Sequence, residues 1–536
     1  MKIQKNKIRP LSAVGAILKK CDDFLSVPAG RINNFFTAKR ILAAAIILLV
    51  IHAVISLFFN YQIYRDVGGV YAWYAAEFGK GIWWSEPISK VPPLHIFLGG
   101  LLVRCGVEAY SSIITVSLIF MGLTLFPLYK MLKLYLPERM AALGCLFFAF
   151  APRLLRFSGT GLLESARDFF LVAAFYLLFK SWNRECKWHH WCLLGFSLGL
   201  LTLARGEGIV MAGAVALGLL IHGKEVWSSG KLFFQKIFKP CLIAAVCALA
   251  VMAPTLYHNY VVTGYPVTDA RMIGVIRIIP GIKHCFSPKE TVSGEDPRLL
   301  PHTREPKGSA SSWKNSRKRL FKLPHSVSRG ANEAYLVLTI LGLIAMLKAR
   351  EWRKEYSFLL GYCLFIPFCF IFFSVSHRYF IFYIPLLMVF TLRGMCVLLS
   401  LAGRIHAGNC LGVILGTAFV LQPLHPWLWM TDKSEWDELH AREFVLQKRS
   451  ELLPENATRK LIIHADSRIL FRCGEDRLFH YGEYIPSLQY VTGFDLLFVP
   501  RKDKAAIDGC RARQDLRQLE TSFRDYVVFA PRERRK

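Results

Sequence analysis

The stretch that organises the rest of this chain covers residues 60–98 and reads NYQIYRDVGGVYAWYAAEFGKGIWWSEPISKVPPLHIFL. It follows the first apolar segment and places one acid, Asp66, just beyond that segment. A series of aromatic side chains comes next, and the pair Pro92-Pro93 then leads into a short apolar run. A carboxylate beside a membrane loses hydration energy unless it is used or paired. The stretch therefore makes Asp66 the first candidate for a functional residue.

Composition places the chain among polytopic membrane proteins with some soluble mass. Of its 536 residues 54% are hydrophobic and 20% are charged, and the mean hydropathy is +0.35. Soluble proteins carry about 25% charged residues. The formal net charge of +29 is best explained by Lys and Arg that hold cytoplasmic loops in place. No nucleic-acid-binding motif accompanies this charge, so we expect membrane lipids and no nucleic acid among the partners.

Apolar runs near the ~20 residues that cross a bilayer predict about eleven membrane-spanning helices. They fall at 39–59, 110–130, 138–152, 161–179, 190–204, 207–222, 240–257, 331–348, 355–374, 378–398 and 409–429. The run 93–103 is too short to cross, and we expect it to be re-entrant or to lie on the membrane surface. The predicted fold class is a mainly α, polytopic membrane helix bundle.

Basic residues in the short loops indicate the orientation of this bundle. The N-terminal arm, residues 1–38, and three short loops carry clusters of Lys and Arg. All of these clusters face the cytoplasm if the N-terminus is cytoplasmic. The membrane domain 39–429 then has two large outer loops, 60–109 and 258–330. The second of these is also basic, but long segments translocate largely regardless of charge.

The odd number of spans places residues 430–536 outside the cytoplasm as a separate soluble unit. Short apolar runs predict strands, and the segments between them predict helices. The predicted strands are 460–464, 495–499 and 525–529, and the predicted helices are 435–451 and 502–520. We expect a small extracytoplasmic α/β domain, to which no chemistry is assigned. Cys473 and Cys510 could be joined by a disulfide there.

Four polar groups at the outer ends of the expected spans could carry chemistry, and the first is Arg65-Asp66. Asp66 could act as a general base that takes a proton from an acceptor hydroxyl. The alternative is an Arg–Asp pair that closes a helix end.

The second group combines five charges at two adjacent span ends, Arg153, Arg156, Glu164, Arg167 and Asp168. Glu164 and Asp168 are separated by one helical turn and therefore share a helix face. In the functional interpretation, Glu164 orients an acceptor or a cation while the arginines face a phosphate. The alternative is mutual compensation of these charges within the bundle.

The third and fourth groups also lie at outer span ends. Arg205 is followed by Gly206-Glu207-Gly208 in a sharp turn, where its guanidinium could bind a phosphate by two hydrogen bonds. The alternative is a plain hairpin turn. His258 lies among tyrosines that commonly act only as membrane anchors. The pair His377-Arg378 is the more suggestive one for a lipid phosphate.

These groups share one side of the predicted topology, which indicates an outward-facing basic cavity with an acid beside it. No residues have the spacing of metal ligands such as HExxH. The sequence therefore requires no cofactor, although a divalent cation remains open.

Several of these motifs resemble those of GT-C glycosyltransferases. Asp66 with Tyr71, Ala76 and Gly79, followed by Pro92-Pro93-Leu94, is similar to the first outer loop of that superfamily. Further similar motifs are 161–164, 203–208, Pro254 with Asn259-Tyr260 and Gly264, and Arg378-Tyr379 with Pro385. The most similar branches are the bacterial protein O-mannosyltransferases and the lipid A aminoarabinose transferases. One departure is Val67, since many relatives carry a second acid after the aspartate.

This resemblance implies a multi-helix bundle in the bacterial inner membrane, with its active site at the outer face. It also implies a donor sugar carried on a polyprenyl phosphate. In an inverting displacement Asp66 would deprotonate the acceptor hydroxyl, and cations would stabilise the departing lipid phosphate. The catalytic candidates are Asp66 and Glu164, the phosphate-binding candidates are Arg205, Arg378, Lys90 and Arg65, and the acceptor or sugar contacts are Tyr71, Arg156, Asp168 and His258.

Two other classes of protein remain as alternatives. A transporter or flippase of lipid-linked saccharides would also have an outer basic cavity, but it is expected to show internal repeats and charges near the bilayer midplane. The sequence shows no clear repeat, and its charges sit at span ends. A membrane assembly protein would use the C-terminal domain as its interaction module. The sugar, the acceptor and the oligomeric state stay open.

Overall fold

The computed structural model describes residues 37–59, 67–81, 91–183, 186–222, 233–263, 265–268, 309–370, 376–404, 421–422, 424–431, 463–464, 496–500, 504–513, 516–519 and 526–531. Most of these residues belong to helices that pack as a bundle, and a small sheet is formed near the C-terminus. The expected mainly α, polytopic membrane fold is therefore confirmed.

Seventeen α-helices are considered below in chain order. They are α1 Ala38–Phe58, α2 Ala72–Gly79, α3 Pro93–Arg104, α4 Ala109–Leu132, α5 Glu138–Phe150, α6 Pro152–Gly159, α7 Glu164–Asn183, α8 Trp188–Ala204, α9 Gly208–His222, α10 Lys239–Thr263, α11 Ser309–Ala331, α12 Glu333–Lys348, α13 Lys354–Phe370, α14 Tyr383–Leu386, α15 Met388–Arg404, α16 Leu424–Thr431 and α17 Lys504–Ala512. A π-helical turn, Val67–Tyr71, leads into α2, a second, Phe234–Phe238, leads into α10, and a 3-10 turn, His377–Phe380, precedes α14.

Within the described residues, three helical segments are long and apolar enough to cross a membrane. They are α1, α4 and the continuous segment Phe234–Val261. Three bent helix pairs would raise the number to six if each pair made one span. The other predicted spans that are described also contain helices, but these do not meet the same test of length and apolarity. The number of eleven spans stays a prediction, and most of the predicted span 409–429 lies outside the described residues.

Two predicted spans are not continuous helices, and proline accounts for both breaks. The predicted span 138–152 divides into α5 and α6, which meet at 54°. Ala151 between them is extended, at φ −66° and ψ 114°, because the residue before a proline avoids the helical region. The predicted span 378–398 divides at Leu387 with a bend of 67°. Pro385 lies just before this bend and has no N–H to donate within the helix.

Helix α3, which corresponds to the run 93–103, packs against the bundle on one face. His95, Ile96, Gly99 and Gly100 are buried, whereas Phe97 is 37% exposed. The glycines permit close contact with α2 and α4, because a Cβ on Gly99 would meet Ile113 at 2.6 Å and Ala75 at 3.3 Å. The helix thus joins the segment that follows Asp66 to the centre of the bundle.

Helices α8 and α10 run parallel along a second close contact. A Cβ on Gly195 would lie 2.8 Å from Cβ of Cys247, and one on Gly199 would lie 3.1 Å from Cβ of Val251. The contact positions advance together along both helices, so their C-terminal ends share one end of the bundle. Arg205 follows the end of α8 and therefore lies at the same end as the C-terminal part of α10.

The C-terminal part of the chain forms a four-stranded sheet in the order β1-β2-β4-β3. The strands are β1 Ile463–His464, β2 Leu496–Pro500, β3 Leu516–Leu519 and β4 Tyr526–Pro531. β1 pairs with β2 in parallel, and β4 pairs antiparallel with both β2 and β3. Helix α17 covers this sheet with Ile507 and Cys510. Burial raises the pKa of the Cys510 thiol.

The sheet confirms three predicted strands and corrects one predicted helix. The predicted strands 495–499 and 525–529 correspond to β2 and β4, and β1 lies inside 460–464. The predicted helix 502–520 is wrong beyond Ala512, because residues 516–519 form β3. Hydrogen bonding to the exposed edge of β4 outweighs the local helical pattern there. The predicted helix 435–451 and Cys473 lie outside the described residues, and the location of this unit outside the membrane stays a prediction.

Candidate functional site

A buried glutamate begins helix α7, and the loop before it determines the position of its carboxylate. The chain leaves α6 and turns at Gly161, whose φ of +77° lies in the left-handed region. A Cβ on Gly161 would lie 3.1 Å from Cγ2 of Ile113, so the loop is pressed against α4. Glu164 then occupies the first turn of α7 and is fully buried. The unpaired N–H groups of a first turn favour a carboxylate at that position.

Arg205 is the principal partner of this carboxylate. Its Nη1 donates to Oε1 of Glu164 at 2.6 Å, and only 3% of the arginine side chain is exposed. The same guanidinium donates to both carboxylate oxygens of Glu207, at 3.1 Å from Nε and 2.9 Å from Nη2. Two carboxylates therefore hold Arg205 rigidly. The turn that brings Glu207 into place needs Gly208, because a Cβ there would lie 2.9 Å from Cα of Thr202.

Arg378 reaches the same carboxylate from the 3-10 turn. Its Nε lies 3.8 Å from Oε1 of Glu164, and 14% of its side chain is exposed. The next residue, Tyr379, carries both guanidinium groups on its ring, with Arg205 at 4.8 Å and Arg378 at 5.4 Å from the centroid. Such contacts stabilise cations over an aromatic face. The described part of the chain thus brings Glu164, Arg205 and Arg378 together, and the placement of Asp66 beside them stays a prediction.

Arg167 and Asp168 form a separate ion pair one turn further along α7. The Arg167 guanidinium lies 2.7 Å from Oδ1 of Asp168, and both side chains are 1% exposed. Arg167 also donates to the backbone oxygen of Tyr379 at 3.0 Å. The structure favours charge compensation for this pair. A contact between Asp168 and an acceptor stays a prediction.

More positive charge surrounds His377, beside the cluster of Glu164, Arg205 and Arg378. His377 experiences the charges of Arg153, Arg156, Arg329 and Arg378. Arg329 belongs to α11, and the neighbouring Gly330 allows that helix to rest on the turn, because a Cβ there would lie 2.6 Å from the backbone oxygen of His377. The sequence analysis did not single out Arg329, since nothing local indicates that α11 returns to the site.

The charges of this region do not cancel. The carboxylates are Glu164, Asp168, Glu207 and Glu333, and the arginines are Arg153, Arg156, Arg167, Arg205, Arg329 and Arg378. Among the described residues, six guanidinium groups therefore stand against four carboxylates, so positive charge is in excess there. Such an excess favours an anionic ligand.

The other predicted site residues are either not described or are located only by their burial and by the helical segment in which they lie. Asp66, Arg65 and Lys90 lie outside the described residues, so their roles stay predictions. Tyr71 is buried in the core beside α2 rather than open to solvent. His258 is half-buried near the end of α10, at the same end of the bundle as Arg205.

His95 is a residue of this region that the sequence analysis missed. Its side chain is fully buried in α3, and Nε2 lies 3.1 Å from the backbone oxygen of Ile113. Ile113, whose backbone oxygen His95 contacts, also lies against the loop before Glu164, since a Cβ on Gly161 would lie 3.1 Å from its Cγ2; the ring is therefore near the site. The only signal in the sequence is a histidine two residues after the Pro92-Pro93 pair, inside an apolar run.

In the part of the chain that the structure describes, no group of three His, Cys, Asp or Glu side chains is arranged to hold a metal ion. That search does not include Asp66. A divalent cation therefore stays an open prediction.

The comparisons with known proteins agree with the fold. Residues 90–258 match the family model of dolichyl-phosphate-mannose-protein mannosyltransferase. No curated protein sequence matches the chain.

Two crystal structures of ArnT from Cupriavidus metallidurans are similar to the chain. The apo structure has 14% identity and a TM-score of 0.57, and the match covers 91% of this chain and 97% of that chain. The structure bound to undecaprenyl phosphate has 13% identity and a TM-score of 0.59, with the same coverage of 91% and 97%. The resemblance to GT-C glycosyltransferases is confirmed at the level of the fold, and the chain is a membrane protein.

Proposed function

We propose that this chain, which has the fold of the GT-C glycosyltransferases, is a membrane glycosyltransferase with a polyprenyl-phosphate-linked sugar as its donor. The acceptor is a lipid, a glycan or a protein of the cell envelope, and transfer takes place at the outer face of the membrane. The match to a mannosyltransferase family and the similarity to a protein that binds undecaprenyl phosphate support this donor class.

The observation that carries the proposal is the meeting of Glu164, Arg205 and Arg378 around Tyr379. These residues come from three distant segments, and their charges are brought together at a buried point. Burying so many charges costs free energy unless they pair or bind a ligand. The pairs leave a positive excess, which fits a lipid phosphate at the end of the helices.

The two central arginines differ in what they can offer this phosphate. Arg205 already donates three hydrogen bonds to Glu164 and Glu207. We therefore propose that Arg205 fixes the shape of the site and contributes positive electrostatic potential at the phosphate. Arg378 is more exposed and stands beside the arginines around His377. Arg378 is the better ligand for the leaving phosphate, whose charge grows as the bond to the sugar breaks.

Asp66 is proposed as the general base, and the packing of its neighbours supports this position. Val67 is fully buried, and the helix that follows touches α3 through Ala75 and Gly99. Gly99 also faces Ile113, which lies against the loop before Glu164. The segment after Asp66 is therefore anchored in the same layer as Glu164. Asp66 takes the proton from the acceptor hydroxyl as that oxygen attacks the anomeric carbon.

Transfer by the purified protein tests this function. The protein is incubated in detergent or liposomes with a panel of polyprenyl-phosphate sugars, each labelled in the sugar, and with extracts of envelope lipids, glycans and proteins. We expect label on one acceptor class and release of the polyprenyl phosphate. Nucleotide sugars supply the control donor and should give no transfer.

A parallel assay in sealed liposomes follows movement of the labelled lipid across the bilayer. Movement of the lipid without transfer to any acceptor would identify a flippase and contradict the proposal. Neither movement nor transfer, together with no binding of the lipids, would contradict both functions.

A further inference from the structure

Besides atoms of the Arg167–Asp168 pair, two polar atoms beside the site are buried without a hydrogen-bond partner among the described residues. One is Oε2 of Glu164, the carboxylate oxygen that does not face Arg205, and the other is Nδ1 of His95. Both side chains are fully buried. Buried polar atoms in proteins are nearly always paired, so two such atoms in one region require a specific partner.

Both atoms are hydrogen-bond acceptors. The backbone oxygen of Ile113 can only accept, so the Nε2 of His95 that faces it at 3.1 Å carries the proton. Complete burial disfavours a charged ring, and in a neutral ring the second nitrogen then has a free lone pair. Oε2 of Glu164 is likewise an acceptor. The missing partner must therefore supply donors.

The possible ligands differ sharply in that respect. The phosphodiester of a sugar-linked lipid offers only acceptors and negative charge, and the carboxylate of Glu164 would repel it. A polyprenyl chain offers no polar atoms at all. The hydroxyl groups of a sugar are donors, and a sugar is the other end of the donor in the proposed function.

We propose that His95 and Glu164 recognise the transferred sugar by accepting hydrogen bonds from its hydroxyl groups at Nδ1 and Oε2. The inference rests on the proposed function and adds an orientation to it. The sugar lies toward α3, while the lipid phosphate lies toward Arg378 and the arginines around His377. The site thus has an accepting side and a cationic side, and a donor lipid fits it in one direction.

Two substitutions separate sugar recognition from a merely structural role. His95→Gln keeps an N–H at the position of Nε2, and with it the bond to Ile113, but it loses the acceptor at Nδ1. His95→Asn places an amide oxygen near Nδ1 but cannot reach Ile113. His190 provides a matched control, because its Nε2 lies 2.9 Å from the backbone oxygen of Leu177. It begins α8 and therefore sits at the opposite end from Arg205.

The measurement is the affinity for two kinds of lipid, by thermal shift of the purified full-length protein. One is unmodified polyprenyl phosphate, and the other is the same lipid carrying each sugar of the panel. For the preferred sugar we expect His95→Gln to weaken binding about tenfold, the value of one hydrogen bond. Binding of the sugar-free lipid should not change. His95→Asn should recover most of the affinity, and His190→Gln should leave both lipids unaffected.

Three results would overturn the inference while leaving the proposed function intact. The first is an unchanged affinity of His95→Gln for the sugar-bearing lipid. The second is an equal loss of affinity for both lipids. The third is a loss of affinity that is proportional to the loss of thermal stability in His95→Gln and His95→Asn. The unchanged affinity would mean that only water occupies the space. A native protein that binds neither lipid would overturn the proposed function itself, and the inference with it.

Discussion

Glu164 and Arg205 are 41 residues apart in sequence, yet their side chains meet at 2.6 Å inside the bundle. Glu207 completes the pair from the other side of the guanidinium. The group links the first turn of α7 to the end of α8, next to the guanidinium of Arg378. Its two acids and one arginine set the shape and the charge of the candidate site.

Breaking this group is expected to destabilise the protein asymmetrically. Arg205→Met leaves the buried Glu164 with only the more distant Arg378 as a partner, and breaking a buried pair costs about 3–5 kcal/mol. Glu164→Gln is milder, because Arg205 keeps Glu207 as its partner. Thermal unfolding in detergent measures the difference. The double variant should be more stable than the sum of the single losses predicts, and strict additivity would show that the two side chains act independently.

Substitution of Arg378 is expected to weaken lipid binding more than stability. The side chain is partly exposed and lies 3.8 Å from Glu164, so Arg378→Ala removes little folding energy. It removes a charged contact to the phosphate, worth about 1.5–3 kcal/mol, or about ten- to a hundredfold in affinity. Binding of unmodified polyprenyl phosphate gives the direct readout.

The control for Arg378 is Arg393, which pairs with Glu351 at 2.7 Å. Glu351 follows α12 among the basic residues that we expect in the cytoplasm, so this pair lies away from the site. Arg393→Ala should lower the melting temperature without changing lipid affinity. An Arg378→Ala protein that binds the lipid normally would remove that residue from the phosphate site.

Asp66→Asn is expected to abolish turnover in a folded protein. Loss of a general base reduces the rate about 10²- to 10⁴-fold, while the amide keeps the size of the side chain. Turnover of the preferred labelled donor, measured with the melting temperature, checks both parts. Glu77 is the control acid, because it lies in the following helix and pairs with Lys80 at 3.3 Å on the surface. Near-normal transfer by the Asn variant would exclude Asp66 as the base.

Three helices are joined by a buried histidine in α1, and its partners predict a purely structural effect. Nε2 of His52 lies 3.0 Å from Oγ of Ser158, and Nε1 of Trp427 donates to Nδ1 at 3.2 Å. Trp427→Phe removes this donor and leaves Nδ1 buried without it, at a cost of about 1–3 kcal/mol. We expect a lower melting temperature and unchanged turnover per folded molecule. A changed affinity for the donor would instead connect α16 to the site.

The sequence analysis placed the helices well where hydrophobicity alone decides the structure, as in α1 and α4. It did not foresee the bends at Ala151 and Leu387, because an apolar run has the same composition whether it is straight or broken. It also took the segment of β3 for helix, because pairing with β4 is a non-local interaction. Propensity and periodicity describe neighbours along the chain only.

The candidate site, too, could be predicted from the sequence only in part. Glu164, Arg205 and Arg378 could be grouped because each lies at a span end on one predicted side. Arg329 and His95 could not, because their place depends on how α11 and α3 pack rather than on any local pattern. The unpartnered atoms of His95 and Glu164 are visible only when both side chains are seen in the folded bundle.

The excess of guanidinium groups over carboxylates among the described residues has a consequence for the end of the proposed reaction cycle. A sugar-linked lipid phosphodiester carries one negative charge, whereas the released phosphomonoester carries about −1.5 to −2 at neutral pH. In the proposed function, we therefore expect the same arginines to hold the spent carrier more tightly than the fresh donor. The released carrier should then compete with its own replacement, and added polyprenyl phosphate should inhibit the transfer assay.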